Sequence, residues 1–360
     1  MKNRLSRRTF NVATTATVLA AAMSPTISTA HGQDNNETLD LHVHLFGVGD
    51  NGSGCRMGKA FSEGRLALLF QHLKSTLGIN DPDKTLDEQY ERVLVDQIRD
   101  SALTKAAILA QDAVYDSGGK PDWKATSFFI PNTYLFEVVK RHCELMVACP
   151  SINPNRTDAI DELNRCHELG APMLKIHPPT QNVDLLDPKH LPFFRRCQEL
   201  DMIVMVHTGH EHSAPVFSKY LAAPRRLRSC LEAGCTVVAC HAGSGWFFDQ
   251  PDYLGEFLQL LDRFPKLWGD TAVLGTAFRF QDFGKLLDAG PTVRDRLLHG
   301  SDFPFPATPA AFSDRIGNED ALRIGGIENL MQRDFELKRS LGIGSDSAAR
   351  SYSLVTPAGG

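Results

Sequence analysis

Short apolar runs that end in a polar or charged residue recur along the chain, and they predict its strands. Runs rich in Val, Ile, Leu and Ala suit strands of a parallel sheet, which are buried on both faces. Segments with helical periodicity separate these runs, and such alternation indicates an α/β fold with a parallel sheet. We predict eight strands, at residues 39–45, 106–109, 145–149, 173–177, 203–207, 236–241, 267–270 and 297–302.

Helices are predicted between the strands and after the last one. Eight β/α units in one chain of this length fit a closed (β/α)8 barrel of the TIM type. A doubly wound sheet needs fewer strands and usually a nucleotide fingerprint, and no G-x-G-x-x-G follows a strand here. We therefore expect a single barrel domain over residues 31–343, followed by a loose C-terminal tail at 344–360.

The first thirty residues have the composition of a targeting segment that is removed from the mature protein. The motif Ser6-Arg7-Arg8-Thr9-Phe10 precedes an apolar run at 12–23, and small residues at 28–30 suit cleavage. The adjacent arginines resemble a twin-arginine export signal. The apolar run is too short to favour a membrane anchor. We expect export to the periplasm or an equivalent cell-envelope space, with the twin-arginine translocation machinery as a transient partner.

The net charge indicates which class of partner to expect, and the cysteine pattern indicates whether the thiols are free. The chain has 38 Lys and Arg against 43 Asp and Glu, a formal charge of −5. Four basic and no acidic residues fall in the first thirty, so the remainder carries −9. This acidic balance argues against nucleic acid and leaves a small molecule as the expected partner. The 8 cysteines form no C-x-x-C pair, and several lie in predicted core elements, so we expect mostly free thiols.

Candidate chemistry lies at the ends of the predicted strands. His42 and His44 are two residues apart in the first strand, so both side chains point to the same face and reach one metal ion. His-x-His alone is a weak signal, but five other strands or their ends supply ligand-type or polar residues. In a barrel these ends meet at one rim, and a shared metal would satisfy several buried groups together. The five are Lys175, His207, His241, Asp270 and Asp302.

As an ordered set, these motifs resemble the metal-dependent amidohydrolase superfamily, in its amidohydrolase-related branch, "amidohydrolase 2". The matching pieces span residues 39–306, which is nearly the whole chain after the targeting segment. They are Asp40-Leu41-His42-Val43-His44, Leu174-Lys175-Ile176-His177-Pro178, Val206-His207-Thr208-Gly209, Cys240-His241-Ala242-Gly243 and Gly300-Ser301-Asp302-Phe303-Pro304.

The resemblance implies one divalent metal at the barrel mouth, usually Zn²⁺, with Mn²⁺ or Fe²⁺ as alternatives. Its implied ligands are His42, His44, His207 and Asp302. A metal of this kind lowers the pKa of a bound water to about 7, which makes hydroxide available. Asp302 would also accept the proton of that water. His241 would polarise the substrate oxygen or help to move the proton.

Two roles are open for Lys175. In binuclear relatives a lysine on the fourth strand carries a carboxylate adduct that bridges two metals, which would imply a second ion. The alternative, which we favour, is a buried lysine paired with a carboxylate such as Asp302 or Asp270. We expect Asp270 to orient a ligand rather than to bind metal itself. His177 shares a face with Lys175 and would be a further polar contact.

The resemblance implies a metal-dependent hydrolase that uses metal-bound hydroxide on a C–N or C–O bond of a small amide, lactone or ester. A second hypothesis is a non-oxidative decarboxylase of a small carboxylic acid, because the same branch contains such enzymes. That chemistry needs an arginine for the substrate carboxylate, and Arg56 is the one candidate in the first loop. A barrel that binds a ligand without turnover is least favoured, because Asp302 is retained.

Overall fold

Parallel strands and surrounding helices make up the computed structural model, which describes residues 37–61, 63–246 and 248–356. The predicted export signal at 1–30 lies outside these residues. Eight strands run parallel: β1 (Leu39–His44), β3 (Lys105–Leu109), β5 (Met146–Cys149), β6 (Met173–Ile176), β7 (Ile203–His207), β8 (Val237–Cys240), β9 (Leu267–Asp270) and β10 (Leu297–Leu298). An antiparallel pair, β2 (Arg56–Met57) with β4 (Phe128–Phe129), lies in the loops.

The eight parallel strands close into a barrel. They pair in the orders β1-β3-β5 and β6-β7-β8-β9-β10. At one seam the amide of Leu41 donates to the carbonyl of His299 at 2.9 Å, and at the other the amide of Lys175 donates to the carbonyl of Pro150 at 2.8 Å. With both seams hydrogen-bonded, no open sheet edge remains between these strands. The predicted (β/α)8 barrel is confirmed.

Fourteen α-helical segments lie between or after the strands of the described chain. The longer ones are α1 (Gly64–Thr76), α2 (Leu86–Arg99), α3 (Asn132–Arg141), α4 (Ala159–Glu168), α6 (Leu191–Glu199), α8 (Tyr253–Arg263), α9 (Phe280–Asp288), α12 (Asn318–Gly325), α13 (Leu330–Ser340) and α14 (Gly344–Val355). The short ones are α5 (Pro178–Gln181), α7 (Arg228–Glu232), α10 (Pro291–Arg294) and α11 (Ser313–Ile316). They follow the strands in alternation and continue after the last one, as the sequence pattern predicts.

Helix α2 shows how local sequence positions the barrel mouth. Its N-cap Thr85 accepts a hydrogen bond from the amide of Glu88, and Glu88 reaches back to the amide of Thr85, a capping box. The helix then presents Tyr90 inward, where its hydroxyl donates to the carbonyl of His44 at 2.6 Å. This contact holds the end of β1 in place.

The prediction of a loose tail is wrong for residues 344–355, which form α14. Ser347, Ala348, Ser351 and Val355 are buried, and the amide of His299 donates to Ser351 Oγ at 2.9 Å. Small side chains at helical spacing let the helix approach the barrel closely. Serine and alanine are not strongly apolar, so this packing face is invisible to a hydrophobic pattern. Residues 357–360 lie outside the described chain.

Two apolar clusters divide the core. One lies between the strands and the surrounding helices, and the other fills the barrel interior, where Val355 of α14 joins Leu41, Met205 and Leu298. The 8 cysteines are all free, and Cys143 is the exposed one. None of the described helices combines the length and the apolar character needed to cross a membrane.

Candidate active site

The first site residue, His42, points from β1 into the mouth of the barrel and is fully buried. Its Nδ1 lies 2.8 Å from Asp270 Oδ2 at the end of β9. The same carboxylate accepts from the amide of His241 through Oδ1 at 2.7 Å. Asp270 therefore fixes two site residues at once, which is the orienting role predicted for it.

Asp302 brings the two histidines of β1 together. Its Oδ1 lies 3.0 Å from His44 Nε2 and 3.3 Å from His42 Nε2. Asp302 follows His42 by 260 residues and His44 by 258. These side chains meet because β1 and β10 are neighbours in the closed barrel. The amide of Asp302 also donates to the carbonyl of His42 at 3.0 Å.

The backbone after β10 is bent to place Asp302. The predicted strand 297–302 stops at Leu298, and Asp302 adopts a left-handed φ of 64°. Gly300 lies where a Cβ would approach His42 Cβ to 2.8 Å, so a larger residue would displace the histidine. His241 has a φ of 62°. Left-handed backbone in non-glycine residues is costly and concentrates at functional sites.

His241 and Lys175 lie at the same rim. His241 Nδ1 is 3.0 Å from the carbonyl of Ala272, which makes Nδ1 the donor and leaves Nε2 without the proton. Lys175 is fully buried, and its Nζ lies 2.9 Å from Cys240 Sγ and 3.2 Å from His42 Nε2. A carboxylate partner is predicted for Lys175 from the sequence. In the structure its hydrogen bonds are instead with a thiol and an imidazole.

A second group of ligand-type side chains surrounds His207. Its ring lies 4.1 Å from the ring of His177, measured between centroids. Glu211 Oε2 is 3.1 Å from His177 Nε2 and 3.8 Å from His207 Nε2. Glu211 is not among the residues predicted from sequence, because it lies in the loop beyond β7, where no periodicity marks it.

The loop that holds Glu211 is fixed by contacts that the sequence does not reveal. Arg279 is buried and donates from Nη1 to the carbonyl of Ser244 at 2.6 Å and from Nη2 to the carbonyl of His210. Gly209 has a φ of 85°, and a Cβ there would lie 2.2 Å from the Ser244 carbonyl oxygen. The β7 and β8 loops are therefore packed backbone against backbone.

Burial sets the charges of the site. It lowers the pKa of His42 to about 3 and that of His241 to about 4, so both imidazoles are neutral near pH 7. For Asp302, burial alone would raise the pKa, but His42, His44 and His241 outweigh it and hold the pKa well below its usual range. The site therefore combines neutral imidazoles with an ionised carboxylate.

The structure places all predicted site residues except Asp270 and Arg56 on one cavity, in distinct groups. His42, His241 and Asp302 have ligand atoms within 4.8 Å of one another, and His44 joins them through Asp302. His207 is grouped instead with His177 and Glu211. The assignment of His207 to the same ion as His42 and His44 stays a prediction.

The cavity above these residues has apolar walls. One face of α1 supplies Leu66, Leu69, Phe70 and Leu73, at the i, i+3, i+4 and i+7 spacing of a helix surface. Phe46, Phe61, Phe128 and Phe305 complete the walls. None of the described lining residues is arginine. Arg56 lies elsewhere, 4.3 Å above the ring of Trp123.

These residues fit a divalent metal. Neutral imidazoles and ionised carboxylates are the ligands that Zn²⁺ and related cations take in proteins. His207 Nε2 is buried and has no hydrogen-bond partner among the described residues. Buried polar atoms without partners are rare, and a bound cation accounts for one placed beside other ligands.

Comparison with solved structures identifies similar barrels. An uncharacterised TIM-barrel protein from Bordetella bronchiseptica is 14% identical, with a TM-score of 0.53, over 83% of this chain and 99% of that chain. 5-Carboxyvanillate decarboxylase from Sphingomonas paucimobilis is 10% identical, with a TM-score of 0.52, over 89% and 98%. A probable 2-pyrone-4,6-dicarboxylic acid hydrolase from Acinetobacter baumannii, bound to citric acid, is 14% identical, with a TM-score of 0.50, over 89% and 98%.

At these identities the structural likeness shows the fold alone. Comparison with curated proteins finds no match. The amidohydrolase family model matches residues 39–323, which include every ligand-type residue described above. The barrel, the strand-end residues and this match agree, and the chain belongs to the amidohydrolase family.

Proposed function

We propose that this enzyme is a metal-dependent hydrolase that cleaves a C–N or C–O bond in a small, largely apolar amide, ester or lactone. The observation that supports it best is the contact of Asp302 with both His42 and His44 at the floor of an apolar cavity. An ionised carboxylate beside neutral imidazoles suits cation binding and proton transfer at one place.

In this proposal His42, His44 and Asp302 hold a divalent cation, with Zn²⁺ the first candidate. When bound, the cation supplies a Lewis acid that makes water acidic near neutral pH. Asp302 accepts the proton of the attacking water, because its carboxylate is ionised. His241 presents an unprotonated Nε2 to the same space and takes part in moving that proton.

The apolar walls of the cavity indicate which class of substrate it can bind. Leu69, Phe70 and Phe305 offer an aliphatic or aromatic group a dry surface, and burying each CH₂ contributes about 0.8 kcal/mol. A substrate carboxylate would find no arginine among the described lining residues. Arg56, the arginine proposed for a decarboxylase, stacks on Trp123 instead. These positions favour hydrolysis over the decarboxylase alternative.

The test is a turnover screen on metal-loaded and chelator-treated protein. Aryl and alkyl lactones, esters and amides are compared with aromatic carboxylic acids, and product and released CO₂ are followed together. We expect hydrolysis of neutral substrates, kcat/KM rising about fourfold per added methylene, and loss of turnover in Asp302→Asn. Release of CO₂ without hydrolysis would establish the decarboxylase instead.

A further inference from the structure

Helix α1 differs from the other long helices in how little of it is buried. None of its side chains at residues 65–76 is buried, whereas every other helix of eight or more residues in the described chain buries at least two residues. An isolated helix of 13 residues is only marginally stable in water, and helices in proteins gain most of their stability by packing an apolar face. The apolar face of α1 therefore calls for an occupant.

That face is turned to the cavity and not to the core. Its members are half-buried, line the cavity, and neither belong to an apolar core cluster nor pack against one; they are Leu66, Leu69, Phe70 and Leu73. The charged residues of the helix, Arg65 and Lys74, do not line the cavity. Leu68 is 73% exposed and lies outside the lining as well. The wall that α1 presents to a ligand is thus uncharged and apolar.

The shape of this face distinguishes between apolar ligands. Leu66 and Leu73 are seven residues apart, which corresponds to about 10 Å along a helix. A strip of this length exceeds a single aromatic ring and suits an extended alkyl chain. The strip also continues toward the proposed centre, because the ring of Phe70 lies 5.2 Å from that of Phe46, two residues after His44.

We infer that the apolar face of α1 is the subsite for an uncharged alkyl arm of the substrate. The substrate is then an amide, ester or lactone whose reacting group lies beside Asp302 and whose chain lies along Leu66, Leu69 and Leu73. The reacting group rests on the proposed function, whereas the chain subsite depends on α1 alone. Because a bound chain buries this face, ligand and helix stabilise each other.

The test measures the binding of neutral alcohols, which requires no turnover. Straight-chain butanol, hexanol and octanol are titrated by calorimetry into full-length, zinc-loaded protein. We expect the affinity to rise about fourfold per methylene, the factor that corresponds to burying one CH₂. Bound octanol should also slow hydrogen exchange of the α1 amides, because it stabilises the helix, and should leave exchange in α12 unchanged.

Two neighbouring leucines supply the variant and its matched control. Leu69→Ala removes three carbons from a half-buried contact with the chain, so octanol should bind about tenfold more weakly. Leu68→Ala makes the same change on the outer face and should leave the affinity for octanol as it is. Alanine favours a helix at least as strongly as leucine, so neither change should unfold α1.

Kinetics separate the subsite from the proposed function. With alkyl esters as substrates, Leu69→Ala should raise KM for a hexyl ester about tenfold at unchanged kcat, and should leave KM for the methyl ester unchanged. Equal affinity for butanol and octanol, or octanol binding by Leu69→Ala that matches Leu68→Ala, would overturn the alkyl subsite and leave the proposed function standing. Chain-dependent binding without hydrolysis of any ester, lactone or amide would overturn the proposed function and leave the subsite standing.

Discussion

His42 Nδ1 lies 2.8 Å from Asp270 Oδ2, and neither side chain is exposed to solvent. Because the carboxylate only accepts, the imidazole must carry its proton on Nδ1. Its Nε2 then carries a lone pair, which accepts a hydrogen bond from Lys175 Nζ at 3.2 Å and lies 3.3 Å from Asp302. Asp270 thus selects the tautomer in which His42 can bind a cation, as partners of metal-bound histidines commonly do.

The first prediction concerns this contact. Asp270→Asn keeps the shape of the side chain but removes its charge, so the tautomer of His42 is no longer fixed. We expect affinity for Zn²⁺ to fall by about 10–100-fold. Competition with a chromophoric chelator measures this. Asp288→Asn, which changes an exposed ion pair with Arg315, should leave the affinity as it is. Equal affinity in both variants would contradict an orienting role for Asp270.

The meeting of His42, His44 and Asp302 could be predicted because two simple rules determine it. Alternation along a strand places His42 and His44 on one face. Parallel strands in a barrel bring their carboxyl ends to one rim, which adds Asp302 from the segment that follows the last strand. Neither rule requires knowledge of loop conformation. The family motif then gives the order in which these residues occur along the chain.

Glu211 and Arg279 could not be predicted in the same way. Both act through loops whose conformation depends on contacts made only in the folded protein, such as those of Arg279 with the His210 and Ser244 carbonyls. No periodicity marks such residues. The packing of α14 was missed for a different reason, because its buried face consists of small polar residues such as Ser347 and Ser351.

The second prediction separates chemistry from metal binding. Asp302→Asn keeps a ligand-capable oxygen but removes the proton acceptor, so turnover should fall by at least about 10²–10⁴-fold. The zinc content of Asp302→Asn should fall by a smaller factor than its turnover. His44→Ala should lose metal first and activity as a consequence. Zinc analysis and kinetics on the same samples compare the two variants. Turnover near the wild-type rate by zinc-loaded Asp302→Asn would refute the general-base role.

The third prediction is a pH dependence of the metal-free protein. The pKa of His42 is about 3 and that of His241 about 4 in the folded chain, against an ordinary value of 6.5. Between pH 6.5 and 4 these two histidines therefore bind more protons in the unfolded chain than in the folded one, while Asp40 and Asp334, whose pKa burial raises to about 6 and about 7, act in the opposite direction. The contribution of His42 and His241 to the free energy of unfolding should be highest above pH 6.5 and should fall as the pH falls toward 4.

Urea denaturation in the presence of a chelator, at several values between pH 4.5 and 7, measures this dependence. His241→Asn removes one of the buried groups, so its slope should be shallower by up to about 1.4 kcal/mol per pH unit. His72→Asn, at an exposed position on α1, should keep the wild-type slope. Identical slopes for wild type and His241→Asn would show that His241 is not held neutral by burial.

The fourth prediction concerns export, which we propose from residues 1–30 alone. A tagged protein should reach the periplasm in a form shortened by roughly the first thirty residues. Changing both Arg7 and Arg8 to Lys should retain it in the cytosol, because the twin-arginine route requires the arginine pair. Cell fractionation with immunoblotting measures this. Unchanged export of the double variant would indicate the general secretory route.

The last prediction tests whether α14 is part of the barrel domain. Ser351 is buried against β10, where its hydroxyl accepts from the amide of His299 at 2.9 Å and donates to the carbonyl of Ser347 at 2.9 Å. In Ser351→Phe the larger side chain has no space, which costs about 1–3 kcal/mol. The amide of His299 also loses one of its two acceptors but keeps the carbonyl of Ser347 at 3.3 Å, so this loss costs less than the about 1–3 kcal/mol of an unpaired buried donor.

Ser353→Phe supplies the matched control, because Ser353 lies two residues away on the same helix and is exposed. The same change there should alter the free energy of unfolding by no more than about 0.5 kcal/mol. Urea denaturation of both variants gives the comparison. If α14 packs as described, only Ser351→Phe lowers the denaturation midpoint substantially. Equal midpoints would mean that the helix contributes little to stability, and the expectation of a loose tail at 344–360 would have to be reinstated.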